Sequence, residues 1–239
     1  MAEAKQRASE DTSGEYIISG SRSPGADENN ENSVKILGNE NILYNKSEYL
    51  NILYTNADGL LNKRHELQTL LTSFNKRPHV IAVNEIKPKN MPQQLQLSKF
   101  NLDGYNVFSQ GLDNPTARGL ILYVAADINA SVVEIPSTFR ESLFLNINTC
   151  SNDNSNKTLF GIVYRSPNSL NENDERLYDL IDYIEHSYKI PKIIVGDFNF
   201  SNIFWYPIQH FGACAKCSGL SDNELKFVNT LRKTVFFNM

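Results

Sequence analysis

Four short apolar runs, each ending in a polar residue, constrain this chain most. "LNILYT" ends at Asn56, "VIAV" at Asn84–Glu85, "LFGIV" at Tyr164–Arg165 and "IIVG" at Asp197, with Asn199 two residues on. The run Ile193–Val195 suits a central strand buried on both faces, and "VIAV" a short buried strand. Further strands are expected at "GYNVFSQ", at Gly119–Val124 and Ala130–Ile135 around a turn at Asp127–Asn129, and at "LFLNIN". Leu60, Leu67, Leu70, Leu71 and Phe74 recur at helical spacing, as do Leu177, Leu180, Ile181 and Ile184. Strands outnumber helices and their order is not a clean βαβα alternation. The expected class is therefore α/β (α+β), with mixed rather than purely parallel sheets.

The pattern begins near Leu50. Residues 1–45 are read as a disordered, acidic, polar tail, because little in "TSGEYIISGSRSPGADENNENS" suits burial. Residues 1–49 hold five Lys/Arg against nine Asp/Glu, while the remainder holds 18 of each, so the tail carries the whole net charge of −4. A neutral body lacks the global basic footprint of a nucleic-acid binder, and such binding has to rest on a local patch. Ser169/Glu172 and Ser221/Glu224 have capping-box spacing and mark two helix starts. "TVFF" reads as the beginning of a strand.

Three cysteines make no disulfide framework and fit a reducing compartment. Cys214 and Cys217 form a C-x-x-C without the further ligands a zinc site needs, so "FGACAKCSG" is read as a loop. Trp205 and Tyr206 are read as packing beneath that loop in preference to stacking on a nucleotide. No window is long and apolar enough to span a bilayer, and no signal peptide opens the chain. An intracellular protein, nuclear or cytoplasmic, with no membrane partner is expected.

A carboxylate and an amide at the end of a buried strand suit a hard metal ion, a phosphate oxygen or an attacking water. The bland reading of Gly196–Asn199 is a turn. Four such strand ends in one chain favour a shared site, because ligand sites of α/β folds lie at strand ends.

"YTNADGLLNK", "VIAVNEIKPKN", "RGLILYV", "FGIVYRSPN" and "IIVGDFNF", in this order, resemble the endonuclease/exonuclease/phosphatase superfamily. The nearest resemblance is to the apurinic-endonuclease-like domain of non-LTR (LINE-type) retrotransposons, and it covers residues 50–239. It implies a four-layer α/β sandwich with mixed β-sheets, and a Mg²⁺-dependent phosphodiester hydrolase (Mn²⁺ as an alternative) that nicks double-stranded DNA and leaves a 3′-hydroxyl for a reverse transcriptase in another polypeptide. It also implies roles. Glu85 and Asn56 would hold the metal, and Tyr164 would hydrogen-bond the phosphate. Asp197 would orient and deprotonate the attacking water, and Asn199 would hold that water or a phosphate oxygen. Arg165 and Arg118 would contact flanking phosphates, with Lys63, Arg64, Lys87 and Lys89 as a basic rim.

The family's closing Ser-Asp-His element is not found. None of His65, His79, His186 and His210 follows Ser-Asp, and Ser221–Asp222 has the spacing of a helix cap. The domain is therefore expected to lack its last strands and to nick weakly or not at all, since loss of a transition-state donor costs on the order of 10²–10³ in rate. Two alternatives stand beside this reading: a non-catalytic retroelement remnant, and a superfamily phosphatase acting on inositol or lipid phosphates.

Overall fold

The computed structural model describes residues 16–19, 43–44, 48–88, 91, 94–148, 157–208 and 212–234. Thirteen strands and three helices are formed by these residues: β1 (Tyr16–Ser19), β2 (Leu43–Tyr44), β3 (Glu48–Tyr49), β4 (Ile52–Asn56), α1 (Arg64–Ser73), β5 (Val80–Asn84), β6 (Tyr105–Gln110), β7 (Leu120–Ala125), β8 (Asn129–Val132), β9 (Ser142–Asn148), β10 (Lys157–Tyr164), α2 (Asn171–Ser187), β11 (Lys192–Asp197), β12 (Trp205–Ile208), β13 (Gly212–Ala215) and α3 (Asp222–Thr234). β2/β3 and β12/β13 form two-stranded sheets, while the other nine strands build a four-stranded sheet of order β4-β5-β7-β6 and a five-stranded sheet of order β1-β11-β10-β9-β8. Both sheets are mixed. β4 is parallel to β5 and β10 to β11, and the β5/β7, β6/β7, β8/β9 and β9/β10 pairs are antiparallel.

The two sheets pack face to face, and strand alternation explains how. Ile193 and Val195 of β11, Phe160 and Ile162 of β10, Val80 and Ala82 of β5, and Leu122 and Val124 of β7 meet in one core between the sheets. The intervening residues point outward. Ile194, Leu159 and Val163 pack under α2 and α3 with Leu177, Ile181, Phe227 and Val228. Ile81, Val83, Ile121 and Tyr123 pack with Leu67 of α1 and Phe100. The architecture is a four-layer α/β sandwich, which is why the runs are apolar without alternation: both faces of each central strand are covered.

Several details depart from the expected pattern. Tyr16–Ser19, inside the expected disordered tail, is a strand lying parallel to β11, with Ile17 opposite Ile194. Its Ile17–Ile18 pair is β-branched and apolar, and the strand covers an edge of a strongly apolar strand. The opposite sheet keeps β4 as an open edge among the described residues. The turn at Asp127–Asn129 does not join a hairpin, because β7 and β8 belong to different sheets. α2 starts at Asn171 with Leu170 as its N-cap, so Ser169 does not cap it and instead accepts a hydrogen bond from Asn173 Nδ2 at 3.0 Å. The second capping box forms: Ser221 N and Oγ donate to Glu224 Oε2 at 2.8 and 2.7 Å. "GACA", within the expected loop, is β13 and pairs antiparallel with β12. Trp205 is half-buried against the α2/α3 core, as packing requires. Most of "TVFF" lies outside the described residues. No described helix is long and apolar enough to cross a membrane.

Candidate functional site

The site lies where the two parallel pairs end together. Register places Asn56 beside Asn84 and Tyr164 beside Asp197. Alternation turns Asn56, Asn84, Tyr164 and Asp197 inward, just past the last apolar residues of the shared core. Asn56 Nδ2 donates to Asp197 Oδ2 at 3.3 Å and so ties one sheet to the other. Because β7 is antiparallel to β5, its first residues reach the same mouth, and Arg118 Nη2 donates to Glu85 Oε2 at 2.6 Å and to Asp58.

Asp58, Glu85 and Asn199 are the three described non-glycine residues with positive φ, at 42°, 55° and 49°. All three stand at this mouth. L-residues enter that region at a cost, and such strain collects at functional sites. At Glu85 its effect is visible: continued alternation after Asn84 would point the carboxylate outward, whereas the left-handed turn delivers it to Arg118. At Asn199 the chain leaves the extended path, so Asp197 and Asn199 do not project in parallel. Asn199 N donates to Asp197 Oδ1 at 3.0 Å, and its Nδ2 donates to Arg165 O at 2.6 Å. Asn199 thus braces Asp197 rather than reaching for a water or phosphate.

Burial pushes the Asp197 carboxyl up to about 6; the Asn199 N–H opposes the rise, the Glu85 charge adds to it, and the Asn56 amide lowers it. Burial and a hydrogen bond to Glu85 raise the Tyr164 phenol far above its ordinary range, so it remains a neutral donor. The Tyr54 phenol behind it is raised by burial and by Asp197, and accepts from Asn84 Nδ2 at 3.0 Å. Asn84 Nδ2 also donates to Val163 O at 3.1 Å, a second tie between the sheets. Arg118 keeps Nε and Nη1 without partners although both are buried.

Three expected substrate contacts fall elsewhere. Arg165 is 6 % exposed and locked into a bidentate pair with Asp174, at 2.6 Å from Nε and 2.9 Å from Nη2. It lies over the Phe200 ring at 4.0 Å and donates from Nη1 to Asn199 O at 3.0 Å. It is a bolt behind the Asp197–Asn199 turn rather than a phosphate contact. Burial opposes ionisation of Asp174, but hydrogen bonds from Arg165, Asn223 and Ser169 hold its carboxyl below the ordinary range. Lys87 is buried, donating to Asn114 O, and burial lowers its pKa. Lys63 Nζ is held by Ala57 O at 2.7 Å and Arg64 by Asn101 O at 3.2 Å. The expected rim is therefore largely tied to backbone carbonyls, and Lys89 lies outside the described residues. Among the described histidines, His79 accepts from Asn51 N, His186 faces Asp182 O and His65 is exposed on α1; none stands at the mouth.

Asp174→Ala is expected to leave the Arg165 guanidinium buried and unpaired. A loss of about 3 kcal/mol follows, seen as a fall of roughly 10 °C in melting temperature. A loss below about 1 kcal/mol would show the pair to be dispensable.

Sequence reasoning missed Asp58 and Asp174. The first was readable only as a turn residue after β4. The second is fully buried on α2 inside "NENDER", which reads as solvated. Among the described residues no group of three His, Cys, Asp or Glu side chains is poised to hold a metal. Glu85, Asp58 and the Asn56 amide are nonetheless hard oxygen donors. The Arg118 guanidinium already bridging the two carboxylates shows that a positive charge fits between them. Mg²⁺ needs few protein ligands, since it retains waters and takes phosphate oxygens.

No protein-family model and no curated protein sequence matches the chain. Solved structures do. The AP endonuclease LMAP from Leishmania major superposes with a TM-score of 0.50 at 13% identity, over 77% of this chain and 66% of that one. D. rerio TDP2 complexed with a single-strand DNA product gives 0.44 at 20% identity, over 63% of this chain and 61% of that one. An endonuclease/exonuclease/phosphatase family protein from Bacteroides thetaiotaomicron gives 0.39 at 16% identity, over 59% and 55%. In each case the match spans less than two thirds of the solved chain. At these identities the likeness is one of fold alone.

Proposed function

We propose that the chain is a divalent-metal-dependent phosphodiester hydrolase acting on DNA, of the retrotransposon endonuclease type its motifs resemble. The observation that carries this is the convergence of Asn56, Glu85, Tyr164 and Asp197 from four strand ends of two sheets onto one mouth. Glu85, with Asn56 and Asp58, would hold Mg²⁺, which supplies charge neutralisation at a phosphate oxygen when bound. The neutral Tyr164 phenol donates to a second phosphate oxygen, and Arg118, held between Asp58 and Glu85, sets a positive charge beside it. Asp197, braced by Asn199, accepts a proton from water. The water oxygen bonds to phosphorus as the P–O3′ bond breaks; the departing 3′-oxyanion takes a proton from solvent and Asp197 returns its own to solvent, leaving a 5′-phosphate and a 3′-hydroxyl.

One observation favours a second reading, a chain that binds phosphodiesters without cutting them: Arg118 occupies the Glu85 carboxylate. Conversion of supercoiled plasmid to nicked circles in Mg²⁺ or EDTA, alongside Mn²⁺ binding followed by its electron paramagnetic resonance, separates the two. The hydrolase reading expects slow Mg²⁺-dependent nicking, with both nicking and Mn²⁺ binding lost in Glu85→Gln. DNA binding without nicking, and no Mn²⁺ uptake, selects the non-catalytic reading.

A further inference from the structure

Among arginines whose side chains are described, Arg64, Arg77, Arg118 and Arg165 are each engaged by an acceptor. Arg140 and Arg176 have no hydrogen bond or ion pair among the described residues, and both are exposed. They meet across one cleft of about 400 Å³, walled by the loop after β6, the segment leading into β9 and the first turns of α2. That volume is in the lower part of the range of small-molecule sites, roughly 300–1,000 Å³, and suits one nucleotide with its phosphate.

Charge and position define the ligand further. The acids on the walls are Asp113 and Glu141. Burial pushes the Glu141 carboxyl up to about 7, which weakens its charge near neutrality. Arg140 and Arg176 set two guanidiniums on the same walls. Two of its walls adjoin the mouth along the chain. The loop wall ends at Ala117, next to Arg118, and Glu141 O accepts Tyr164 N at 2.9 Å. A strand bound at Tyr164 would therefore have this cleft beside it. An unpaired guanidinium is the side chain best matched to phosphate, through its planar fork of donors.

We propose that this cleft binds the nucleotide flanking the scissile phosphate of a DNA strand, with Arg140 and Arg176 on its backbone phosphates. The choice of DNA rests on the phosphodiesterase reading above; the cleft itself does not depend on cleavage.

The test is fluorescence anisotropy of a short fluorescein-labelled deoxyoligonucleotide with the full chain in EDTA, where no hydrolysis occurs. Arg140→Ala/Arg176→Ala is expected to weaken binding by about tenfold. It is also expected to flatten the dependence of log K on log salt by about 1.4, the value for two lost contacts to a single strand. Arg77→Ala, which removes an arginine paired elsewhere, should bind like the parent. Both arginines are exposed, so a matching thermal melt certifies the fold of the double variant. Parental affinity and salt slope in the double variant overturn the proposal, as does a parent that does not bind the oligonucleotide. A parent that binds through these arginines yet never nicks plasmid sustains the cleft and defeats the hydrolase reading instead.

Discussion

Gly196→Ala is expected to remove more than about 5 kcal/mol of stability, in the exceptional class for one substitution. Gly196 lies opposite Val163, where β10 and β11 run parallel toward the site. A Cβ there would stand 2.0 Å from Val163 O and 2.8 Å from Val163 C. These are backbone atoms of a central strand, so no rotamer change relieves the contact; the strands must separate. Separation breaks the ladder that sets Tyr164 beside Asp197 and lifts Ile194 and Val195 out of two cores at once. The cooperative thermal transition should fall by roughly 15 °C or vanish. A melting temperature within about 2 °C of the parent would mean that the close approach of β10 and β11 is not what the structure holds.

That same glycine shows why part of the site was legible in the sequence. In "IIVGDFN" the apolar run, the glycine of close approach and the carboxylate are contiguous, so local pattern carries the strand, its end and its chemistry together. The same holds for Asn56, Glu85 and Tyr164, each set within two residues of a buried run. What the sequence hid depends on tertiary partners. Arg165 follows Tyr164 and looked like a phosphate contact. Only folding brings α2 back across the turn, so that Asp174 neutralises the guanidinium and Phe200 covers it. Lys63 and Lys87 looked free because lysines usually are, but the loops around them expose carbonyls that needed donors. Arg140 and Arg176 lie outside every apolar run and have no sequence signature; their meaning is a cleft between three segments. The Tyr16–Ser19 strand failed for a different reason. Its partner edge lies about 175 residues downstream, and a four-residue run in polar surroundings carries too little propensity to announce itself.

Asp197→Asn separates a catalytic carboxylate from a structural one, because the two roles predict opposite signs for stability. With its carboxyl pushed up to about 6 from 3.8 by burial, the native state holds the Asp197 proton more tightly than the unfolded chain does. Stability from this group is therefore full below pH 3.8 and is lost as pH rises through 6. Above that, Asp197 is a charged group held at a cost, and a neutral amide of the same shape should raise stability at pH 8 by on the order of 1 kcal/mol. Nicking should move the other way. Removal of a general base costs about 10²–10⁴ in rate. The parent needs the ionised carboxylate, so its rate should climb with pH and level off above about 6, while the residual rate of the variant loses that limb. A variant that melts lower at pH 8, or that nicks at the parental rate with the parental pH profile, would remove Asp197 from the proton-accepting role. A variant that is more stable and inactive leaves strain held for chemistry as the reason a buried, left-handed, acid-lined mouth exists at the end of this sandwich.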